Sequence, residues 1–119
     1  MDTMGSISKV EQILGEAEEY IWGIGEGRFT ENMGKITTKQ SVGGVECRVL
    51  SPLPPAKERN LENRTLLDVP VVMALTEKEA LVCLRFADRR MDYAGFLGND
   101  TVFLSWVRDL FRYYWDRGI

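Results

Sequence analysis

The chain has 119 residues, 45% of them hydrophobic and 28% charged, and its formal net charge is -3. This length is typical of one domain, and the balance of apolar and charged residues is typical of a folded protein rather than a disordered one. The net acidity predicts no direct nucleic-acid binding by this chain alone, because such binding needs a basic face opposite the phosphates.

Membrane and metal-binding proteins are disfavoured by what the sequence lacks. No run of apolar residues approaches the roughly 18–20 needed to cross a bilayer, and the first residues lack the layout of a secretory signal, so we expect a cytoplasmic protein with no membrane partner. The sequence contains no histidine and no C-x-x-C motif, so we expect neither a metal site nor a cofactor. Cys47 and Cys83 lie in apolar runs and are predicted to be buried thiols.

Helices and strands alternate in the predicted first half of the chain. Ser6 or Ser8 is expected to cap a first helix after a frayed tail of residues 1–6, because apolar residues then recur with helical spacing. A short buried strand follows at residues 20–24 and ends in a glycine-rich turn. Residues 30–40 predict a second helix, which a glycine and two threonines weaken.

The middle of the chain is predicted to contain three strands and one long loop. Residues 45–50 alternate between apolar and charged side chains, as in a strand with one wetter face or at a sheet edge. Three of the four prolines lie within residues 51–63, which predict a surface loop. Residues 71–75 are apolar on both faces, as in a central strand, and residues 80–84 are predicted to return as its antiparallel partner.

A final amphipathic helix, from residue 101 to about residue 116, completes the predicted fold. Asn99 or Asp100 is expected to cap this helix, and its apolar stripe is expected to pack on the sheet. Tyr113 and Trp115 fall off the stripe and are predicted to be exposed, where they would form a dimer contact or a ligand wall. The whole order predicts a single α/β domain over residues 1–119, with a mixed β-sheet flanked by helices and the C-terminal helix packed on it.

A glycine-rich turn after the first strand is a candidate binding site. Its Gly23-Ile24-Gly25 run resembles the start of a dinucleotide-binding fingerprint, but Arg28 stands where the third glycine is needed and Glu26 would repel a pyrophosphate. We therefore expect a flexible strand-to-helix turn. Glu26 and Arg28 follow the carboxyl end of a strand, where α/β sheets usually bind ligands, so they either line a pocket mouth or are solvated turn charges.

Catalysis has little support in the sequence. Ser51 follows a strand, but the chain has no histidine to activate it and no serine in a G-x-S-x-G motif. Asp88 and Asp92 could bind a metal or exchange protons, although their arginine neighbours favour a salt-bridged loop. We therefore expect no enzyme. The less favoured alternative, a carboxylate- or metal-dependent enzyme, would need Asp68, Asp88 or Asp92 to converge in one cleft.

Five segments together resemble a known family of regulators. They read A-E-E-Y-I-W at 17–22, G-V-E-C-R-V-L at 44–50, M-D-Y at 91–93, F-L-G-N-D at 96–100 and D-L-F-R-Y-Y-W at 109–115. This set is similar to the C-terminal regulatory domain of archaeal winged-helix transcription regulators of the methanogenesis-regulator type. That domain is similar in turn to the phospholipase-D-like sensor domains of sugar-responsive archaeal regulators.

The resemblance implies an effector-sensing α/β domain, with two departures. Phospholipase-D-type catalysis uses a histidine-x-lysine motif, and this chain has no histidine, so the hydrolase or nuclease activity of that larger group is not implied. The sequence also contains no counterpart of the winged helix with which these regulators bind DNA.

The resulting hypothesis is a non-catalytic regulatory domain that senses a small-molecule effector and forms a homodimer. Its pocket is expected at the carboxyl ends of the first strands, where a later loop would close it. The candidate ligand-binding residues are Glu26, Arg28, Ser51, Asp92 and Tyr93. The alternative is a protein-interaction or dimerisation module without a ligand, which would use the last helix around Tyr113 and Trp115.

Overall fold

A mixed β-sheet organises the chain in this computed structural model, which describes residues 3–86, 88, 90–92 and 95–119. The elements of these residues are α1 (Thr3–Gly15), β1 (Tyr20–Ile24), α2 (Arg28–Val42), β2 (Glu46–Ser51), β3 (Ala56–Glu58), β4 (Leu61–Thr65), β5 (Val71–Thr76), β6 (Ala80–Leu84), β7 (Phe96–Gly98) and α3 (Thr101–Trp115). The strands lie in the order β3-β4-β2-β1-β5-β6-β7. Helices pack on both faces, so the predicted α/β fold with a C-terminal helix on the sheet is confirmed.

β1 is the strand at which the two halves of the sheet meet. It pairs in parallel with β2, from Tyr20 opposite Glu46 to Ile24 opposite Leu50, and β4 adds to β2 in parallel. On its other side β1 pairs antiparallel with β5, and antiparallel pairing continues through β6 to β7. Parallel neighbours need a long crossover whereas antiparallel ones need only a short turn, which is why α2 separates β1 from β2 and a tight turn separates β5 from β6.

The core has two layers because both faces of the sheet are buried. Ile21 and Cys47 pack with α1 and α2 on one face, whereas Ile24 and Leu50 pack with α3 on the other. β5 lies between the two layers and is buried along its whole length, which explains its uninterrupted apolar sequence. Full burial of one large apolar side chain contributes roughly 1.5–3 kcal/mol, so this strand is a major source of stability.

The predicted loop over residues 51–63 is wrong. β3 and β4 form an antiparallel hairpin there, and β4 pairs in parallel with β2. The residues of β3 are exposed and those of β4 are half-buried, so their polar sequence lacks the apolar alternation from which a strand is predicted. Pairing with β2, which is a tertiary contact, decides their conformation.

β7 is a further strand that the sequence did not predict, because it has only three residues. Gly95, which precedes it, has a φ of 66°, and a Cβ at this position would lie 2.9 Å from the carbonyl oxygen of Val82. Glycine adopts a positive φ without strain and lets another backbone approach closely. Gly95 therefore allows β7 to lie against β6.

α1 begins earlier than predicted. It starts at Thr3, so residues 3–6 are helical rather than a frayed tail, and neither Ser6 nor Ser8 is its N-cap. The apolar periodicity on which the prediction rested continues through the helix, since Val10, Ile13 and other residues of α1 are buried in the core. No helix among the described residues has the length and apolarity needed to cross a membrane.

α3 is capped as predicted, but its first half is more exposed than its apolar stripe suggested. The carboxylate of Asp100 accepts a hydrogen bond of 3.1 Å from the backbone NH of Phe103. The buried residues of the helix are Val107, Phe111 and Trp115. Val102 and Trp106 belong to the apolar stripe that was predicted to pack on the sheet, but they are exposed. The contact of α3 with the core lies toward its C-terminal end.

Both cysteines are buried and free, which confirms that they are buried thiols. Burial raises the pKa of each thiol to about 11, and the carboxylates of Glu46 and Asp92 act in the same direction on Cys47 and Cys83 respectively. A thiol that is protonated at neutral pH is a poor nucleophile, so these side chains act as small apolar groups.

The turn between β5 and β6 holds the backbone where the chain enters β1. The carboxylate of Glu77 accepts hydrogen bonds from the backbone NH groups of Glu18, Glu19 and Tyr20, at 2.9, 3.2 and 3.3 Å. Partial burial raises the pKa of the Glu77 carboxyl, but the backbone NH groups outweigh it, so this pKa lies below its ordinary value. The ionised form of Glu77 therefore stabilises the folded state.

Glu77→Gln is expected to lower the free energy of unfolding by about 1–2 kcal/mol at neutral pH, because charge-assisted hydrogen bonds become neutral ones. Since the pKa of Glu77 is lower in the folded state than in the unfolded state, its contribution is complete above the unfolded pKa and is lost as the pH falls through the folded pKa. Urea unfolding at neutral and at acidic pH measures this, with the exposed Glu31→Gln as control. An effect of Glu77→Gln that is the same at both pH values would contradict this role.

Gly95→Ala is expected to destabilise the fold by about 1–3 kcal/mol, because the added methyl group must displace β7 from β6 in addition to the strain of a positive φ. Gly44→Ala is the matched control, since Gly44 also has a positive φ, of 99°, but an added Cβ there meets nothing within 4 Å. Thermal unfolding compares the two variants. Equal losses of stability would show that the close approach at Gly95 is unimportant.

Candidate functional site

The carboxyl ends of the parallel strands β1, β2 and β4 meet at one edge of the sheet. Backbone hydrogen bonds hold these strand ends together. The NH of Gly25 donates to the carbonyl of Leu50 (3.0 Å), and the NH of Leu66 donates to the carbonyl of Ser51 (2.9 Å). Open α/β sheets bind ligands outside the carboxyl ends of their strands. A ligand site is therefore expected at this edge.

A hollow of about 170 Å³ lies between α2 and the face of β2 and β4, beside this edge, and we call it the α2 pocket. Its polar lining residues are Thr30, Thr37, Thr38, Ser51 and Asn63. Gly34 and a set of apolar residues complete the lining, namely Val49, Leu53, Pro54, Ala56 and Leu61. All of these side chains are uncharged, so the pocket offers hydroxyl and amide groups beside an apolar wall.

Ser51 holds one wall of the α2 pocket in place. Its buried hydroxyl donates to the side-chain oxygen of Asn63 at 2.9 Å and accepts from the backbone NH of Leu53 at 3.3 Å. The amide group of Asn63 donates to the carbonyl of Pro54 at 3.2 Å, and the hydroxyl of Thr65 donates to the carbonyl of Leu53 at 2.6 Å. Ser51 therefore positions residues 53–56 rather than presenting a nucleophile.

Thr30 is the lining residue of the α2 pocket whose hydroxyl group lacks a hydrogen bond to the described residues. Its hydroxyl oxygen is buried and has no hydrogen-bond partner among the described residues. By contrast, the hydroxyl groups of Thr37 and Thr38 donate to the carbonyls of Met33 and Gly34, each at 2.7 Å. A buried hydroxyl without a partner is costly, so Thr30 is the lining residue for which a bound ligand would bring the clearest gain.

The sequence contains a signal for this side of the pocket that was not used. Thr30, Gly34, Thr37 and Thr38 recur at helical spacing, which places them on one face of α2. In the prediction from sequence, Gly34 and two of the threonines indicate only a weakness of the second helix. A polar, small-residue face on an otherwise packed helix is what could have predicted the pocket.

Glu26 lies at the predicted edge but is not among the residues that line the α2 pocket. Arg28 begins α2, and Glu26 lies in the turn before it. The ion pair with Asp68, at 2.6 Å, raises the pKa of the Arg85 guanidinium, and the charge of Glu26 adds to this effect. Glu26 therefore belongs to a charged group with Arg85 and Asp68 on the antiparallel side of this edge.

Asp92 lies too far along the sheet to close the α2 pocket. Its backbone NH donates to the carbonyl of Leu84, at the end of β6, at 2.8 Å. β6 is three strands from β2 in the sheet, which corresponds to about 14 Å from the strand that carries Ser51. Asp92 therefore does not adjoin the α2 pocket, and Tyr93 lies outside the described residues.

The carboxylates considered for catalysis are paired with arginines. Asp68 binds Arg85, and Asp88 binds Arg90 at 2.7 Å, as the neighbouring arginines favoured. Within the described ranges, no group of three or more cysteine, aspartate or glutamate side chains is arranged to hold a metal ion.

The two aromatic residues proposed for an interface have different surroundings. Trp115 is only 6% exposed, and its ring packs on Phe111 and under the guanidinium of Arg64, which lies 4.3 Å from the ring centroid. The prediction that Trp115 is exposed is therefore wrong. Tyr113 is exposed, and the guanidinium of Arg117 lies 3.6 Å from its ring centroid.

Neither the family models nor the curated proteins contain a match to this sequence. Among solved structures the chain is similar to TrmBL2, an archaeal chromatin protein whose structure shows a novel mode of DNA binding. The TM-score is 0.76 at 23% sequence identity, and the similarity covers 96% of this chain and 50% of TrmBL2. The chain thus spans about half the length of this neighbour, and it shares the fold of that part of an archaeal chromatin protein.

Proposed function

We propose that this chain is a non-catalytic regulatory domain that senses a small molecule in the α2 pocket. The observation that carries the proposal is the pocket itself, which lies between α2 and the face of β2 and β4, reaches the carboxyl end of β2 at Ser51, and has Thr30 among its lining residues. The hydroxyl group of Thr30 is buried and has no hydrogen-bond partner among the described residues, and a hollow with a few polar groups beside an apolar wall is where proteins bind small molecules. A pocket with donor and acceptor groups but no nucleophile, general base or metal ligand is suited to binding without reaction.

The lining determines the chemistry of the proposed ligand. The uncharged lining favours an uncharged molecule, because none of the described lining residues is a lysine or arginine that would offset the desolvation of an anion. The volume of about 170 Å³ is below the roughly 300–1,000 Å³ of drug-sized sites, so the ligand is a small metabolite. We expect the ligand to carry one polar group that binds Thr30 and one apolar face that packs on Leu53 and Leu61.

A ligand in this pocket would act on the edge of the sheet. Leu53, Pro54 and Ala56 line the pocket, and Ala56 is the first residue of β3. β3 pairs with β4 through only three residues. The side chains of Ser51 and Asn63 hold this segment by hydrogen bonds. A ligand that orders or displaces the segment would therefore change the presentation of the β3–β4 hairpin, which supplies a route from binding to regulation.

The likeness to TrmBL2 supports a role in archaeal transcription or chromatin, because that protein binds DNA and shares this fold over half its length. The finer relation to phospholipase-D-like sensor domains rests on the sequence motifs, including D-L-F-R-Y-Y-W at 109–115. On this proposal the chain provides the sensing function, while DNA binding belongs to another part of the regulator or to a partner.

Gly34→Met is expected to fill the α2 pocket, because an added Cβ at Gly34 meets nothing within 4 Å and a longer side chain can extend along the lining. Gly34→Ala is the matched control, since it adds one carbon and removes the cost of a helical glycine, about 1 kcal/mol. Two-dimensional NMR spectra of the wild type with small uncharged alcohols, amides and polyols should show shifts at Thr30, Gly34 and Thr38. Melting-temperature measurements with the same compounds should show stabilisation.

Binding of these compounds is expected to be lost in Gly34→Met by at least about tenfold and kept in Gly34→Ala, since an occupied pocket excludes the ligand. Small anions such as phosphate and acetate form the comparison set and are expected to leave the spectra unchanged. Binding that survives in Gly34→Met, or shifts that cluster outside the α2 pocket, would contradict the proposed site.

A further inference from the structure

An apolar surface lies at the outermost strand β7, on the side of the sheet away from the α2 pocket. Leu84, Phe96, Val102, Phe103 and Trp106 surround an open hollow of about 600 Å³ between β6, β7 and the first half of α3, and we call this the β7 surface. Val102 is 79% exposed, Phe96 57% and Trp106 48%. Isolated apolar residues are common on protein surfaces, but a contiguous group of this kind marks an interaction site.

The two edges of the sheet differ in how they are protected. β3, at one edge, follows Pro54 and Pro55 and carries Lys57 and Glu58, which are the residue types that prevent edge-to-edge association. β7, at the other edge, reads Phe-Leu-Gly and contains neither a charge nor a proline. Among the described residues no strand pairs with the outer side of β7, so its outer backbone groups are available for pairing with another strand.

The charge of the β7 surface is unsuited to a charged partner. Asp100 is the one charged residue among those that line the hollow, and its carboxylate is engaged in capping α3. Nucleic acid needs a cluster of arginine and lysine to neutralise phosphates, and a charged peptide needs an opposite charge. A surface that is apolar and nearly uncharged is complementary to a copy of itself.

The area of the β7 surface fits a dimer contact. An aromatic side chain buries about 150–250 Å², so the exposed parts of Phe96, Trp106, Val102 and Leu84 together present about 400 Å² of apolar area. Two copies would bury about twice that area, about 800 Å², and the paired β7 backbones add to it, which corresponds to the small, weak end of biological interfaces.

We propose that two copies of this chain associate through the β7 surface, with the two β7 strands paired antiparallel about a twofold axis. A twofold axis is the commonest symmetry of homodimers and makes each copy contribute the same patch. The pairing joins two sheets into one and brings both apolar hollows together at the seam. This surface lies at the N-terminal half of α3, whereas the sequence placed the dimer contact near Tyr113 and Trp115, at its other end.

The proposal does not depend on the α2 pocket, because β3 and β4 lie at the far edge of the sheet. Sedimentation velocity over a range of concentrations therefore tests it without any ligand. Val102→Glu is the test variant, and Val42→Glu is the matched control, since both are exposed valines in helices and Val42 is 86% exposed. Circular dichroism verifies that each variant is folded.

The wild type and Val42→Glu are expected to dimerise with similar affinity. Val102→Glu is expected to weaken the dimer by about 100-fold or more, because it places an ionised carboxylate in an apolar contact. A wild type that stays monomeric up to several hundred micromolar would overturn the proposal, as would Val102→Glu dimerising like the wild type.

Tryptophan fluorescence of the unmodified chain gives a second readout that does not depend on a variant. Trp106 is half-exposed, whereas Trp115 is buried and Trp22 is packed on Phe111. Quenching by acrylamide is therefore expected to rise as the protein is diluted through the dimer–monomer transition. Dimer dissociation without any change in quenching would place the contact elsewhere and overturn the proposal.

Discussion

The pairing of β1 in parallel with β2 and antiparallel with β5 is the constraint on which both surfaces of the molecule depend. On the parallel side, α2 must cross from the end of β1 to the start of β2, and the α2 pocket forms between this helix and the face of β2 and β4. On the antiparallel side, the sheet continues through β5 and β6 to β7, and no described residue pairs with the outer side of that strand. The ionised carboxylate of Glu77 accepts hydrogen bonds from the backbone just before β1, so it fixes where this strand begins.

Arginine side chains complete the cover of the sheet beside α3. α3 packs mainly on β1, β5 and β6, and its C-terminal end, at Trp115, lies beside β2 and β4. Arg48 lies over the ring of Trp22 at 5.6 Å and Arg64 over that of Trp115 at 4.3 Å. A guanidinium stacks on an aromatic ring while its edge stays hydrated. Trp115, which the sequence suggested for contact with a partner, is thus covered within the chain.

The fold was predictable where a local pattern and its burial agree. β1, β5 and β6 are apolar runs with both faces covered, and Asp100 caps α3 through its own carboxylate. β3, β4 and β7 were not predictable, because each is short or polar and becomes a strand only by pairing with a strand that is already in place. Gly95 shows the same dependence, since its role follows from the carbonyl of Val82 and not from its neighbours in sequence.

By itself, the sequence determined that an α/β sheet forms with two buried faces, that the cysteines are buried, and that histidine-dependent catalysis is excluded, since these follow from apolar periodicity and from the chemistry that each residue carries. Tertiary structure alone decided that Thr30, Ser51 and Asn63 share a pocket and that Asp92 does not join them. It also decided that Trp115 is covered while Phe96 and Trp106 are left together at an open edge. These outcomes depend on contacts between residues far apart in the chain, which no local pattern specifies.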